Sequence, residues 1–273
     1  AGDLGTTLPE HFGGAIRICG MAGDQQAATI GQGCFAIGQT KATFGTGAFV
    51  LTQTGTTLRQ SRHRLLSTIL YQLNGERHYA LEGSVFVAGS LVQWLRDDLG
   101  LISHAAETEP LARSVPDNGG VYLVPALSGL GAPHWRPDAR AAISGLSFAG
   151  KKAHVARAAL EAMAHQTYDL KTAFAADGAD WAELRIDGGM VTNDWMAQDL
   201  ADMLAIDVER PAFVETTALG AAMLAAVGCG LYHSLEEAAK MRGGVTRFAP
   251  TLDPSAREIR LAGWADALSR VLR

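Results

Sequence analysis

The chain has 273 residues, of which 48% are hydrophobic, and a formal net charge of -5. This composition supports a sizeable core, and the lack of a basic cluster excludes a surface built for nucleic acid or anionic lipid. The longest apolar stretches, such as residues 218–229, are too short to cross a bilayer, so no membrane insertion is expected.

The first hundred residues predict a loop followed by an antiparallel meander. Residues 1–14 contain Gly, Pro and Thr without periodicity, which is typical of a linker or of a loop leading into a domain. The dipeptide Asn74-Gly75 is typical of a hairpin turn. The apolar patterns predict strands over residues 16–21, 43–54 and 65–82, and helices over residues 24–32 and 85–99.

The rest of the chain alternates helices with strands. Strands are predicted over residues 121–125, 141–145, 184–186 and 207–210, and helices over residues 151–176, 193–204, 216–227, 234–241 and 254–272. A meander followed by alternating helices and strands predicts a mixed sheet with helices packed on it, and therefore an α/β fold.

The three cysteines, Cys19, Cys34 and Cys229, lie far apart in the sequence. Their odd number and the lack of a C-x-x-C spacing argue against a disulfide framework or a zinc site. They predict buried structural thiols in a reducing compartment, and hence a cytoplasmic protein.

The first candidate for chemistry is the string Gly23-Asp24-Gln25-Gln26, at a predicted junction between a strand and a helix. Catalytic carboxylates are often presented at such junctions. Aspartate is also favoured as a helix cap, so the residues alone leave a structural role for Asp24 open.

The second candidate is the turn Phe44-Gly45-Thr46-Gly47-Ala48-Phe49. Glycines on both sides of Thr46 allow backbone N–H groups and one hydroxyl to point at an anion. No lysine follows, which excludes a Walker loop. An ordinary glycine turn, with Phe49 in the core, explains the same residues.

The third candidate spans residues 187–193, Asp187-Gly188-Gly189-Met190-Val191-Thr192-Asn193, between a strand and a helix. Two adjacent glycines let a flat ligand approach the backbone, and Asn193 can cap the helix or read polar edges. A further glycine-rich string at residues 129–133 lacks the third glycine of a dinucleotide loop and is not assigned to one.

Seven motifs taken together resemble one family. In chain order they are residues 23–26 (GDQQ), 45–49 (GTGAF), 80–83 (ALEG), 93–97 (QWLRD), 129–133 (GLGAP), 187–189 (DGG) and 217–222 (TALGAA). Their order is similar to that in the glycerol kinases of the FGGY carbohydrate kinase family. The resemblance runs from about residue 13 to residue 248 and corresponds to the C-terminal half of the family's usual length.

The resemblance implies an actin-like, ribonuclease-H-like α/β fold with a mixed sheet flanked by helices. It implies transfer of the γ-phosphoryl group of ATP, with Mg²⁺, to a terminal hydroxyl of glycerol. By the same resemblance, residues 15–273 form the C-terminal kinase domain and an entire actin-like domain precedes residues 1–14. The chain alone is then expected to be inactive, and the full-length enzyme is expected to be a homo-oligomer.

The resemblance also assigns roles to individual residues. Asp24 matches the catalytic base and a substrate ligand, and Gln25 and Phe49 match residues that line glycerol. The nucleotide site is matched by residues from three segments: Gly45, Thr46, Gly89, Val92, Gln93, Gly188, Gly189 and Asn193. No residue is matched to a metal ligand, and Glu82, a second carboxylate within a family motif, is expected to play a structural, hydrogen-bonding role.

Two other functions remain open at this point. One is an FGGY kinase of another polyol or sugar, because part of the substrate specificity lies in the half that this chain does not contain. The other is a non-enzymatic, actin-like module that binds a nucleotide. The Asp24-Gln25-Gln26 string and Phe49 favour glycerol, and the position of Asp24 beside a substrate-like pocket argues against the non-enzymatic module.

Overall fold

The structure is a computed structural model that describes residues 1–273. The helices are α1 (Pro9–Phe12), α2 (Asp24–Gly31), α3 (Gly89–Asp97), α4 (Thr108–Arg113), α5 (Lys152–Ala176), α6 (Asp194–Leu204), α7 (Thr216–Gly228), α8 (Leu235–Ala238) and α9 (Pro254–Val271). The strands are β1 (Thr40–Phe44), β2 (Ala48–Gly55), β3 (Leu66–Leu73), β4 (Glu76–Val85), β5 (Tyr122–Val124), β6 (Ala142–Ser144), β7 (Glu183–Asp187), β8 (Asp207–Pro211) and β9 (Val245–Phe248). Short 3₁₀ helices cover Ala105–Glu107, Gly189–Thr192 and Ala239–Arg242.

Seven strands form one mixed sheet in the order β3-β4-β2-β1-β7-β8-β9. Strands β1 to β4 pair antiparallel as a meander. Strands β7 and β8 continue the sheet parallel to β1, and β9 pairs antiparallel with β8. Strands β5 and β6 form a separate antiparallel pair. The predicted mixed sheet flanked by helices is therefore confirmed.

The two faces of the sheet have different surroundings. Because side chains alternate along a strand, Ala42, Phe44 and Val50 all point to the face covered by α5 and α6, and they belong to the largest core cluster. Lys41 and Thr43 point to the opposite face, where α2 packs. The first face is thus apolar, while the second one brings polar side chains together under α2.

Helices α2 and α7 approach each other closely enough to bring their backbones into contact. A Cβ atom on Gly220 would lie 1.8 Å from the carbonyl oxygen of Ala27, and one on Gly31 would lie 2.0 Å from that of Thr216. Any side chain at either position would separate the helices. These two glycines therefore set the position of α2, the helix that begins with Asp24.

Several sequence predictions need correction. Residues 16–21 do not form a strand. They exchange backbone hydrogen bonds with residues 2–7, but these bonds do not form a regular ladder, and only an isolated bridge between Thr6 and Arg17 results. The helix predicted over residues 85–99 begins only at Gly89, since Val85 still belongs to β4. Cys229 is exposed, because it follows the end of α7, whereas the other two cysteines are buried as predicted.

The segments around residues 1–14, 105–113 and 234–248 also differ from the sequence prediction. Residues 1–14, predicted as a loop, contain the short helix α1. Helix α4 and strand β9 were not predicted at all. The predicted helix over residues 234–241 is divided into α8 and a 3₁₀ turn. These elements have four to six residues each, too short for periodicity to show. No helix has the length and apolar character that a membrane crossing requires.

Candidate functional site

The glycine turn between β1 and β2 is fixed by its own carbonyl groups. The carbonyl of Gly45 accepts a hydrogen bond from Gly89 N at 2.8 Å, and that of Thr46 accepts from Ala88 N at 2.9 Å and from Ser90 N at 3.1 Å. The first amides of α3 are thereby used within the chain. The amide and the hydroxyl of Thr46 make no hydrogen bond to the chain and are exposed, so they remain available to a ligand.

Close contacts explain why this turn needs its glycines. A Cβ atom on Gly89 would lie 2.6 Å from the carbonyl oxygen of Gly45, and one on Gly47 would lie 2.5 Å from that of Val85. The turn can therefore pack against the end of β4 and the start of α3 only without side chains at these positions. The result is a rigid loop with the donors of Thr46 on its outer side, which suits an anion such as a phosphate.

The second glycine turn follows β7 and runs beside the first. Gly188 has φ 93°, and a Cβ atom there would lie 2.5 Å from the carbonyl oxygen of Phe44. Gly189 has no atom within 4 Å of its Cβ position, so its face is open. Asn193 caps α6, since its Oδ1 accepts from Met196 N at 2.9 Å, and its Nδ2 donates to the hydroxyl of Thr108 at 3.3 Å.

The two turns enclose a pocket of about 420 Å³. Seven of the eight residues predicted for the nucleotide line it, namely Gly45, Thr46, Gly89, Val92, Gln93, Gly189 and Asn193. Gly188 is not a lining residue and instead lies against the strand end at Phe44. The volume is within the range of sites for small molecules and cofactors.

Sequence reasoning missed other parts of the pocket wall. The lining residues that no motif predicted are Phe44, Arg96, Ala105, Ala106, Thr108, Glu109, Leu160, Met190 and Thr192. Four of them come from residues 105–109, a short segment without recognisable pattern. Phe44, Arg96, Met190 and Thr192 stand inside quoted strings, so these strings were a signal that could have found them.

The predicted acceptor residues lie outside this pocket. Asp24 is the first residue of α2 and is exposed. Its carboxylate accepts a hydrogen bond from Gln25 N at 2.7 Å, but the N-cap residue is Gly23, so Asp24 is not the cap that the alternative interpretation required. Phe49 is half-buried on β2 and is paired in register with Thr43 of β1. Strand β1 thus connects the acceptor residues to the turn at Thr46.

Lys41 is a buried cation beneath these residues that the sequence did not indicate. Its side chain is inaccessible to solvent, and its ammonium donates to Oε1 of Gln25 and, at 2.8 Å, to the hydroxyl of Thr43. Burial lowers the pKa of Lys41 to about 8, against the opposing effect of nearby acidic groups, of which Asp187 has the largest effect.

Besides Asp24, the family motifs contain two carboxylates with buried or partly buried surroundings, Glu82 and Asp187. Burial raises the pKa of Glu82, which accepts one bond, from the hydroxyl of Ser84 at 3.4 Å. Asp187 is buried and accepts from Nε2 of Gln32 at 2.9 Å and from the hydroxyl of Thr216 at 2.6 Å. Asp187 therefore ties the second glycine turn to both α2 and α7.

The chain holds no cluster of three or more His, Cys, Asp or Glu side chains that could bind a metal ion by itself. Magnesium in phosphoryl-transfer sites is commonly held by substrate phosphates with one or two carboxylates. The exposed carboxylate of Asp24, which has no salt bridge, fits the role of one such ligand.

The comparisons with known proteins identify the family of this chain. Residues 40–229 match the family model described as "FGGY family of carbohydrate kinases, C-terminal domain". The glycerol kinase of Rhodospirillum centenum is 54% identical over 270 residues, which are 99% of this chain and 54% of that protein. The glycerol kinase of Gluconobacter oxydans is 53% identical over 271 residues, which are 99% of this chain and 53% of that protein.

A solved structure is similar over nearly the whole chain. The crystal structure of Plasmodium falciparum glycerol kinase with ADP has a TM-score of 0.91 and 36% identity, covering 99% of this chain and 55% of that one. The chain therefore spans about half the length of the relatives that it matches. The predicted actin-like, ribonuclease-H-like fold is confirmed by this likeness. The chain belongs to the FGGY family of carbohydrate kinases and corresponds to the family's C-terminal domain.

Proposed function

We propose that this chain is the C-terminal half of an ATP-dependent glycerol kinase. The observation that carries the proposal is the pocket of about 420 Å³, which combines seven of the predicted nucleotide residues and lies at the end of the strand that also supports Gln25 and Phe49. The identity of 54% to a glycerol kinase, and the ADP named for the similar solved structure, support glycerol and ATP as substrates.

In the proposed reaction, a terminal hydroxyl of glycerol attacks the γ-phosphorus of ATP. The bond from that phosphorus to the bridging oxygen of ADP breaks, and the hydroxyl proton passes to the carboxylate of Asp24. Asp24 thereby acts as the general base, and Gln25 and Phe49 orient glycerol. The phosphates of ATP lie against the free donors of Thr46, and the adenine ring of ATP lies near Gly189 and Asn193.

Magnesium, when bound to the nucleotide, neutralises charge on the phosphates. The carboxylate of Asp24 is the group of this chain that fits a contact to it. The remaining ligands and the other wall of the cleft would come from the half that precedes this chain. We propose residues 15–273 as the C-terminal domain, residues 1–14 as the linker, and a cytoplasmic homo-oligomer as the full-length form.

The test uses the full-length protein, in which this chain is joined to the preceding half. Glycerol, xylulose and gluconate are supplied separately with ATP and Mg²⁺, and phosphorylated products are identified by mass spectrometry. The proposal predicts the highest kcat/KM with glycerol and formation of glycerol 3-phosphate. Preference for a sugar would establish a different FGGY kinase, and nucleotide binding without turnover of any polyol would establish the non-enzymatic module.

A further inference from the structure

Lys41 is the one lysine of this chain whose side chain is entirely buried. Burying an ammonium group is unfavourable unless it is well compensated. Lys41 makes no salt bridge within 4.0 Å, and its two hydrogen bonds go to neutral oxygens, on Gln25 and Thr43. Because this unfavourably buried ammonium contacts Gln25, the residue next to Asp24, we infer a role for Lys41 in the acceptor site rather than in packing.

The contact determines which way the Gln25 amide points. An ammonium group carries three donors and no acceptor, so the oxygen of the amide must face Lys41. This conclusion does not depend on the usual ambiguity between amide oxygen and nitrogen, because the reversed amide would place two donors together. The Nε2 group of Gln25 makes no hydrogen bond to the chain, is not among the buried unpartnered atoms, and is therefore the free end of the side chain.

The neighbouring Asp24 offers hydrogen-bond acceptors, whereas the free end of Gln25 offers donors. Its carboxylate is exposed and, when ionised, can only accept hydrogen bonds. A polyol held between the two side chains would donate one hydroxyl proton to Asp24 and accept a hydrogen bond from Gln25 at a hydroxyl oxygen. The pair thus discriminates between the two ends of an O–H group, which an amide free to rotate could not do.

We propose that Lys41 is a positioning residue of the acceptor site: it fixes the Gln25 amide with its NH₂ group toward the substrate. Gln25 then acts as a hydrogen-bond donor to the polyol, and Asp24 acts as the acceptor. The inference rests on the proposed function, because it takes Gln25 as a residue that contacts the polyol.

The first test changes Gln25 in the full-length protein and leaves Lys41 in place. Gln25→Met removes both ends of the amide, whereas Gln25→Glu keeps an oxygen for Lys41 and replaces the NH₂ group with a second oxygen. Loss of one donated hydrogen bond should raise the KM for glycerol about tenfold in both variants. If Gln25→Glu keeps a KM within twofold of the wild type, Gln25 is an acceptor and the proposal is wrong.

The second test changes Lys41 itself. Lys41→Met should raise the KM for glycerol about tenfold by releasing the amide, and should change the KM for ATP less than twofold. In the Gln25→Met background, Lys41→Met should raise the KM for glycerol no further, because the amide is already absent. Additive effects of the two substitutions on the KM would show that Lys41 does not act through Gln25, and an unchanged KM in the single Lys41 variant would show that Lys41 acts only on stability. Either outcome overturns the proposal.

A matched control is available at Lys171 of α5. That lysine is half-buried, burial lowers its pKa, and its ammonium donates to the carbonyl of Leu204 at 2.6 Å, far from α2 in the fold. Lys171→Met should lower the thermal midpoint without raising the KM for glycerol. If Lys41→Met does not fold, the two Gln25 variants still test the proposal, because a nearly unchanged KM in Gln25→Glu would contradict the donor role that Lys41 is proposed to fix.

Failure of the proposed function has a separate signature. The wild-type protein alone tests that function, through its turnover of glycerol. The Lys41 inference depends on the ratio of each variant to the wild type, measured with whichever polyol or sugar is phosphorylated. If no acceptor is turned over, the same ratios are measured as ligand-induced shifts of the thermal midpoint with glycerol, and equal shifts in wild type and Gln25→Met overturn the inference.

Discussion

Replacing Gly220 by alanine should displace the predicted catalytic helix. The new Cβ would lie 1.8 Å from the carbonyl oxygen of Ala27, whereas ordinary contacts begin near 3.4 Å, so α2 and α7 must separate by roughly 1.5 Å at this point. Overpacking of this kind costs about 1–3 kcal/mol, offset by about 1 kcal/mol of helix propensity gained by alanine. Because a backbone carbonyl cannot move aside, the overpacking cost lies at the upper end of this range, about 3 kcal/mol. The expected net loss in the free energy of unfolding is therefore about 2 kcal/mol.

The consequence for activity follows from the position of Asp24, at the start of α2. A displacement of about 1 Å in a catalytic group can reduce turnover roughly 100-fold, so Gly220→Ala should lower kcat far more than a loss of 2 kcal/mol in stability would explain at 25 °C. A loss of that size should lower the thermal midpoint by roughly 4–8 °C. The assays are glycerol turnover and thermal unfolding of the full-length protein.

The control is Gly244→Ala, since Gly244 has no atom within 4 Å of its Cβ position and does not have a positive φ. This variant should match the wild type in both assays. If Gly220→Ala also matches the wild type in thermal midpoint and glycerol turnover, the close contact of α2 and α7 does not position Asp24.

Four further outcomes are expected. Asp24→Asn should lower turnover on the order of 10²- to 10⁴-fold at an unchanged thermal midpoint, and near-normal turnover would exclude Asp24 as the base. Gly189→Leu should fill open pocket space and raise the KM for ATP more than that for glycerol in steady-state kinetics; equal increases would place the nucleotide elsewhere. The chain alone should form no detectable glycerol 3-phosphate, since half a cleft cannot hold donor and acceptor in line, and turnover comparable to that of the full-length protein would contradict this. Between pH 8 and 10.5 the unfolded chain binds more protons at Lys41 than the folded protein does, so the free energy of unfolding should rise with pH relative to Lys41→Met in denaturant titrations, and parallel profiles would show that this pKa is not lowered.

The arrangement of the site follows from one strand. Strand β1 points Lys41 and Thr43 toward α2 and then ends in the turn at Thr46, where two hydrogen-bond donors remain free. The predicted acceptor residues and the glycine turn at Thr46 are therefore supported by five consecutive residues of backbone at the centre of the sheet. Such a support suits phosphoryl transfer, in which positioning and electrostatics contribute most of the catalysis.

Glycines are used here where backbone must meet backbone. Gly89 lets the start of α3 rest on the turn at Thr46, and Gly188 lets the second turn rest on the end of β1. Gly220 does the same for α2 and α7. In each case the nearest atom is a carbonyl oxygen, which cannot move aside as a flexible side chain could.

The sequence alone determined the class of fold and most of the residues that were predicted for a nucleotide and line one pocket. Long periodic segments such as residues 151–176 and the Asn74-Gly75 turn were predicted within a few residues, because local pattern and turn chemistry dictate them. Seven of the eight residues that the family resemblance assigned to the nucleotide line one pocket. Two of the segments that supply them are glycine turns, where a ligand can approach the backbone. The roles of Asp24, Gln25 and Phe49 stay predictions.

Only the tertiary structure decided which residues meet across the chain. The local sequence around Lys41 does not indicate that its side chain is buried. The burial depends on the pairing of β1 with β2 and β7 and on the packing of α2 above these strands. Residues 105–109 join the pocket wall without any motif. The pairing of Gly31 and Gly220 likewise depends on two helices 185 residues or more apart in sequence. Local sequence patterns report local geometry, whereas the surroundings of a buried charge arise from contacts distant in the sequence.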